Sequence, residues 1–168
     1  MSAEKIIIGA DHAGFALKEI LKPCLTGLGL AVTDIGAETD DPVDYPDIGG
    51  RVAAGVSCGA FARGILICGS GVGMAMVANK YPRVRAALCL DEETAELSRR
   101  HNDANILCLA GRKTNPDKAK KIMYVWLSTA FEGGRHGRRV EKIRKIEEAV
   151  RTSATILNCE GEITPCPS

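Results

Sequence analysis

Aliphatic runs and helix-period segments alternate along this chain. "KIIIGA" (5–10) is an unbroken apolar run rich in β-branched residues and reads as a buried strand. Helical spacing follows over 13–27, placing Phe15, Ile20 and Leu21 inward, with Gly27 and Gly29 as the stop. "LAVTDIG" (30–36) reads as a second strand, and "AETDDPVDYPD" (37–47) is too acidic and too broken for either element. A small-residue helix over 48–58, a strand "GILICG" (64–69), a helix "VGMAMVANK" (72–80) and a strand "VRAALCL" (84–90) come next. Asp91 is placed to cap a helix over 92–102, and "ANILCLAG" (104–111) gives a fifth strand. Asn115 and then Pro116 mark another helix start, with apolar residues at 119, 122, 123, 126, 127 and 130 on one face. After "GGRHG", a basic helix over 138–151 carries Val140, Ile143, Ile146 and Val150 in one stripe.

Strands this apolar, joined through helices, argue for a parallel α/β sheet covered on both faces. The length of 168 residues suits one domain, assigned to 1–151. Residues 152–168 change composition: they hold no Lys or Arg, two prolines, and Cys159 and Cys166, and read as a poorly ordered extension. A net charge of +1 gives no global drive toward nucleic acid or anionic membrane. No apolar run approaches the roughly 18 residues of a membrane span, and "MSAEK" before "IIIGA" lacks a signal-peptide core, so 1–151 reads as cytoplasmic. The seven cysteines form no CxxC pair, and the three histidines form no metal-ligand spacing, so no metal is expected.

In open α/β sheets ligands gather outside the carboxyl ends of the strands. The residues just past each strand are therefore informative: Asp11-His12, Cys68-Gly69-Ser70-Gly71, Asp91 and Gly111-Arg112. Cys68, Cys89 and Cys108 share aliphatic neighbours, and taken alone each suits simple packing. Position separates them. Cys89 and Cys108 are each followed by a leucine that continues the strand, whereas Cys68 is the last strand residue before a loop that opens a helix. The positive end of a helix favours a thiolate, which can act as base or nucleophile.

Gly69, Gly71 and Gly73 either make a tight turn or bring backbone N–H groups close to an oxyanion or phosphate, with Ser70 adding a hydroxyl. Their spacing is not the dinucleotide fingerprint, and "GADHAGFA" (9–16) lacks the Lys-Ser/Thr of a P-loop, so NAD and ATP are both disfavoured. Arg135, His136, Arg138 and Arg139 crowd a helix start, where cations oppose the helix dipole. They form either a solvated basic face or an anion site. His101, with Asn102 at a helix end, is either a surface residue or a proton donor in the strand-end crevice.

Taken together, "IIIGADHAGFALK", "VDYPD", "GILICGSGVGMAMVANK", "VRAALC", "LSRRHNDANILCLAGR" and "FEGGRHGRRVEKI" resemble the sugar-phosphate isomerase family that contains ribose-5-phosphate isomerase type B and the galactose-6-phosphate isomerase subunits. The resemblance spans residues 5 to about 148. It implies a Rossmann-like, three-layer α/β/α sandwich with a five-stranded parallel sheet, acting as a homodimer, sometimes paired into a tetramer, with interfacial active sites. It implies Cys68 as catalytic base, Ser70 and the Gly69–Gly73 backbone (Gly69, Gly71, Val72, Gly73) as the anion-stabilising loop, and His101 as the ring-opening residue. Asp11, His12, Tyr45 and Asn102 match sugar-contacting positions; Arg112, Arg135 and Arg139 match phosphate-side positions, and His136 follows the pattern. A second branch of the family has serine in place of the cysteine and a glutamate four residues on. Cys68 and Val72 place this chain with the cysteine branch.

The activity so implied interconverts ribose 5-phosphate and ribulose 5-phosphate through an enediolate, with no metal or organic cofactor. Asp11 would orient a hydroxyl, and the arginines would anchor the phosphate. This reading needs Cys68 open to a crevice that leads toward the arginines of 135–139. A six-carbon sugar-phosphate isomerase is the nearest alternative. A non-catalytic sugar-phosphate sensor is the next, and it has no use for both a carbon base and a ring-opening acid. Nucleic-acid binding through 138–151 is weak: seven Lys/Arg between 135 and 151 are offset by three glutamates, with no aromatic residue among them.

Overall fold

In the computed structural model, which describes residues 3–152, the apolar runs become strands and the periodic segments helices. The strands are β1 (Lys5–Ala10), β2 (Ala31–Asp34), β3 (Arg63–Cys68), β4 (Ala86–Leu88) and β5 (Ile106–Ala110). The helices are α1 (Phe15–Gly27), α2 (Tyr45–Ser57), α3 (Val72–Ala78), α4 (Glu92–Asn102), α5 (Pro116–Ser128) and α6 (Gly134–Thr152). All strand pairs are parallel, in the order β2-β1-β3-β5-β4.

Successive strand residues face opposite sides of the sheet, and here both sides are buried. Ile6, Ile8, Ala10, Ile65, Ile67, Leu107 and Leu109 pack with Leu17, Leu21 and Leu25 of α1, Ala95 of α4, and Ile122, Met123 and Trp126 of α5. Ile7, Leu66, Cys68, Ile106 and Cys108 face the other way, against Ile48, Val52 and Val56 of α2 and Met74 and Ala78 of α3. The architecture is the three-layer parallel sandwich expected. Caps read from the sequence are present: Asp91 Oδ1 accepts from the Thr94 N–H at 2.7 Å, and Asn115 Oδ1 from the Lys118 N–H at 2.9 Å.

Several expectations need correction. Ile20 is exposed, because the buried face of α1 runs through Leu17, Leu21 and Leu25 at i, i+4 spacing and Ile20 is rotated off it. Ala130 lies past the end of α5 and is also exposed. α2 begins at Tyr45, inside the segment read as loop, with Pro46 in its first turn, where its missing N–H costs nothing. β4 stops at Leu88, so Cys89 is not inside a strand that continues past it. α6 begins at Gly134 and takes in Arg135 and His136, which the reading placed before the helix. Its Ile143, Ile146 and Val150 do share one side, but they are 47%, 57% and 56% exposed beside the 79–87 segment. Thr152 ends this helix, and 153–168 lie outside the described residues.

Candidate active site

β1 and β3 are neighbours from which the strand order runs outward in opposite directions, to β2 on one side and to β5 and β4 on the other. The chain therefore leaves the carboxyl ends of β1 and β3 on either side of a topological switch point. Asp11 and Cys68 stand at those two ends. The Asp11 backbone N–H donates to Ile67 O at 3.2 Å, and Asp11 Oδ1 accepts from the Gly14 N–H at 2.9 Å, fixing this buried carboxylate at the entrance to α1. His12 Nδ1 accepts from the Val43 N–H at 3.3 Å, which orients the ring toward the 38–44 segment.

Cys68 is 4% exposed, and its Sγ accepts from the Gly71 N–H at 3.2 Å. That turn requires glycine. Gly71 has φ +76°, and a Cβ there would collide with Leu88 Cδ1. A Cβ on Gly73 would lie 2.7 Å from the Tyr45 ring, so the bare backbone at the start of α3 is what lets Tyr45 settle over it. Ser70 Oγ accepts from the Val72 N–H at 3.3 Å. The Arg112 N–H donates to Gly69 O at 3.2 Å and brings its side chain beside the same loop. These groups border one open cavity of about 600 Å³, lined among others by Asp11, His12, Tyr45, Cys68, Ser70 and Arg112.

The three sulfurs in aliphatic runs now differ in kind. Cys89 and Cys108 are 0% exposed; burial pushes the Cys89 thiol up to about 11 and the Cys108 thiol well above the ordinary range. Cys68 alone of the three borders the cavity.

The remaining candidates gather elsewhere. His101 and Asn102 form the last turn of α4, which leads into the amino end of β5, whereas Cys68 pairs with Ala110 at the carboxyl end of that strand. At about 3.3 Å per residue, the length of β5 alone is about 13 Å. Within one chain His101 is thus outside the strand-end crevice, and the cavity at Cys68 is bordered by neither Arg135 nor Arg139. The single crevice that the sequence reading required is not formed by one copy.

Instead, the His101 ring stacks on His136 with centroids 4.1 Å apart and planes 3° from parallel. His136 is 3% exposed, and its Nε2 accepts from Arg135 Nε–H at 3.2 Å. Burial holds the His136 imidazole below its ordinary range; the facing His101 and the Arg135 and Arg139 guanidinium groups act the same way, while Glu132 opposes them. Glu132 Oε2 lies 3.8 Å from His101 Nε2 and accepts from Arg100 Nη2 at 3.2 Å. Asn102 faces the separate groove between 79–87 and α6.

His101, Glu132 and His136 bring three ligating atoms within 4.8 Å, a grouping no local spacing reveals. Parallel rings aim their lone pairs side by side, His136 Nε2 is already bonded, and Glu132 is paired to Arg100, so the arrangement does not converge on a metal ion. Glu132, and Met76 and Lys113 at the cavity rim, escaped the sequence reading. Lys113 adjoins the singled-out Arg112, whereas Glu132 meets His101 only through the fold.

Comparison with known proteins places this geometry. Residues 6–143 match the model of a family described as Ribose/Galactose Isomerase. The chain is 43% identical over 145 residues to ribose-5-phosphate isomerase B of Escherichia coli, covering 86% of this chain and 97% of the relative. It is similar to the structure of Clostridium thermocellum ribose-5-phosphate isomerase B, with TM-score 0.85 and 46% identity over 87% of this chain and 99% of that one. It is also similar to the Mycoplasma genitalium ribose-5-phosphate isomerase B with bound ribulose-5-phosphate, with TM-score 0.84 and 42% identity over 88% and 99%.

Proposed function

The chain belongs to the Ribose/Galactose Isomerase family, and on that premise we propose that it interconverts ribose 5-phosphate and ribulose 5-phosphate. The observation that carries this reading is Cys68. It is a thiol at a strand end that borders a cavity shared with a carboxylate, an imidazole, a hydroxyl and a guanidinium group. The matched residues 6–143 support treating 1–151 as one isomerase domain.

Aldose–ketose exchange moves one proton from C2 to C1 and a second from O2 to O1, and changes no overall oxidation state. The reaction therefore consumes no electrons and calls for no redox partner. Cys68 thiolate takes the proton from C2 and returns it to C1, while the negative charge develops on an enediolate oxygen. Ser70 and the Gly69–Gly73 backbone stabilise that oxygen. In the structure the Gly71 N–H donates to Cys68 Sγ and the Val72 N–H to Ser70 Oγ, contacts that favour a thiolate at Cys68 and hold the Ser70 hydroxyl beside it. His101 donates a proton to the ring oxygen as the furanose opens, and Asp11 orients a sugar hydroxyl. His12, Tyr45 and Asn102 contact the sugar. Arg112, Arg135, Arg139 and His136 hold the phosphate, fixing C2 within reach of the sulfur.

His101 and the arginines of α6 do not border the Cys68 cavity of one copy, which supports a site assembled from two copies, one supplying each half. The apolar side of α6 supports such pairing, because Ile143, Ile146 and Val150 are about half exposed among the described residues. The five free cysteines among the described residues, and no helix there long and apolar enough to cross a membrane, suit a reducing, cytoplasmic setting.

The test is turnover of ribose 5-phosphate by the full chain, with galactose 6-phosphate as the competing substrate. Faster turnover of ribose 5-phosphate supports the reading. Preference for the hexose shifts it to the six-carbon branch, and binding of either sugar without turnover leaves a sensor.

A further inference from the structure

Lys18 is the least exposed charged side chain in the described residues, at 2%, yet it lies outside the reacting cavity. It sits on the inner face of α1, one helical turn after Gly14. Its ammonium has three N–H donors and meets three oxygens: Asp34 Oδ2 at 2.7 Å, Ala37 O at 2.8 Å and Glu19 Oε1 at 3.2 Å. The Phe15 ring lies 5.4 Å from Nζ. Asp34 is also bonded to Lys22 at 2.8 Å, and its Oδ1 accepts from the Gly36 N–H at 2.9 Å. Burial alone raises the Asp34 carboxyl, but hydrogen bonds from Lys18 and Lys22 outweigh it and hold the group below its ordinary range.

Taking an ammonium out of water is costly, and an apolar side chain of similar size is often as stabilising. What Lys18 does that an apolar residue cannot is grip the Ala37 carbonyl, where the chain leaves the sheet. The Ala37 N–H is tied at the same place to Ala10 O at 2.8 Å. From this root the segment 38–44 runs to Val43, whose N–H holds His12, and to Tyr45, whose ring covers Gly73.

We propose that Lys18 is a positioning residue for the sugar pocket. By clasping Asp34 and Ala37 it sets the path of 38–44, and through that segment the orientation of His12 and Tyr45. The functional consequence rests on the reading that those two side chains contact the sugar. Lys18 itself touches no reacting atom, so its loss acts on binding more than on the proton transfer.

Lys18→Met keeps the stem and removes the charge, while Lys22 keeps Asp34 paired. In the full chain this variant raises KM for ribose 5-phosphate about tenfold and changes kcat by less than about twofold. It also moves the imidazole nitrogen NMR signal of His12, assigned by its loss in His12→Asn. A lowered Tm with KM, kcat and the His12 signal all unchanged overturns the proposal and leaves Lys18 a purely structural residue. If Lys18→Met does not fold, Asp34→Asn loosens the same clasp from the strand side and is read in the same way. A wild-type chain without isomerase activity defeats the functional reading alone, because the His12 signal still decides whether the clasp exists.

Discussion

The two ends of the sheet are built from different materials. At the carboxyl end, backbone turns do the positioning: glycines at 71 and 73 fold the chain tightly beside Cys68, and Asp11 is fixed by main-chain hydrogen bonds. At the amino end, side chains position one another: His101 lies flat on His136, Arg135 bonds His136, and Arg100 holds Glu132. The first end carries a thiol, a carboxylate and a hydroxyl, and the second carries two stacked imidazoles with guanidinium groups. Under the proposed function neither set is sufficient alone. The two groups border no common cavity within one copy, which is why the proposed function invokes a pair.

The largest effect that sharpens this contrast comes from the carboxyl end. Cys68→Ala removes the proposed base, and kcat should fall by roughly 10²–10⁴-fold. The Tm should fall only slightly, because one sulfur is lost from a side chain that packs at the edge of the α2–α3 core where it borders the cavity. A variant that retains wild-type turnover breaks the assignment. Next in size is a cation from the amino-end group. Arg139→Ala loses a charge-assisted hydrogen bond to phosphate, and KM should rise about 10- to 100-fold with kcat less affected. Equal KM values would remove Arg139 from the site.

The smallest effect is on stability. The His136 imidazole is held below its ordinary range in the folded chain, so the unfolded chain binds this proton first as pH falls. The associated stability is complete above about pH 6.5, the unfolded value, and is lost as pH falls through the lower folded value. Denaturant melts between pH 7 and 5 should therefore show a steeper loss in wild type than in His136→Asn. Parallel slopes would show that His136 is not the group responsible.

Much of this was legible in the chain itself. Strands buried on both faces leave unbroken aliphatic runs, and residues following them fall at the carboxyl edge by topology alone. That is why Asp11, His12, Cys68, Ser70 and Arg112 could be grouped before any coordinates. Helix boundaries were harder to read. Gly134 and Gly137 look like breakers, yet α6 begins at the first and runs through the second, and Pro46 looks like a loop residue although a first helical turn accepts it. Cys89 shows the limit of the leucine rule used to set it apart from Cys68. It lies just past the end of β4 while Cys68 ends β3, so both stand at strand ends, and its burial against Ser98 and the α1, α4 and α5 side marks it as packing. The meeting of His101, Glu132 and His136 had no local signal at all, because it joins the end of one helix to the start of another.

Complementation between inactive copies tests the two-copy site most directly. Cys68→Ala and His101→Ala are each prepared, confirmed inactive, then unfolded and refolded together. If one copy supplies Cys68 and the other His101, half of randomly formed dimers are mixed and each holds one intact site. About a quarter of wild-type activity should then return. If each site is built within one chain, the mixture stays as inactive as its components, and the account is wrong.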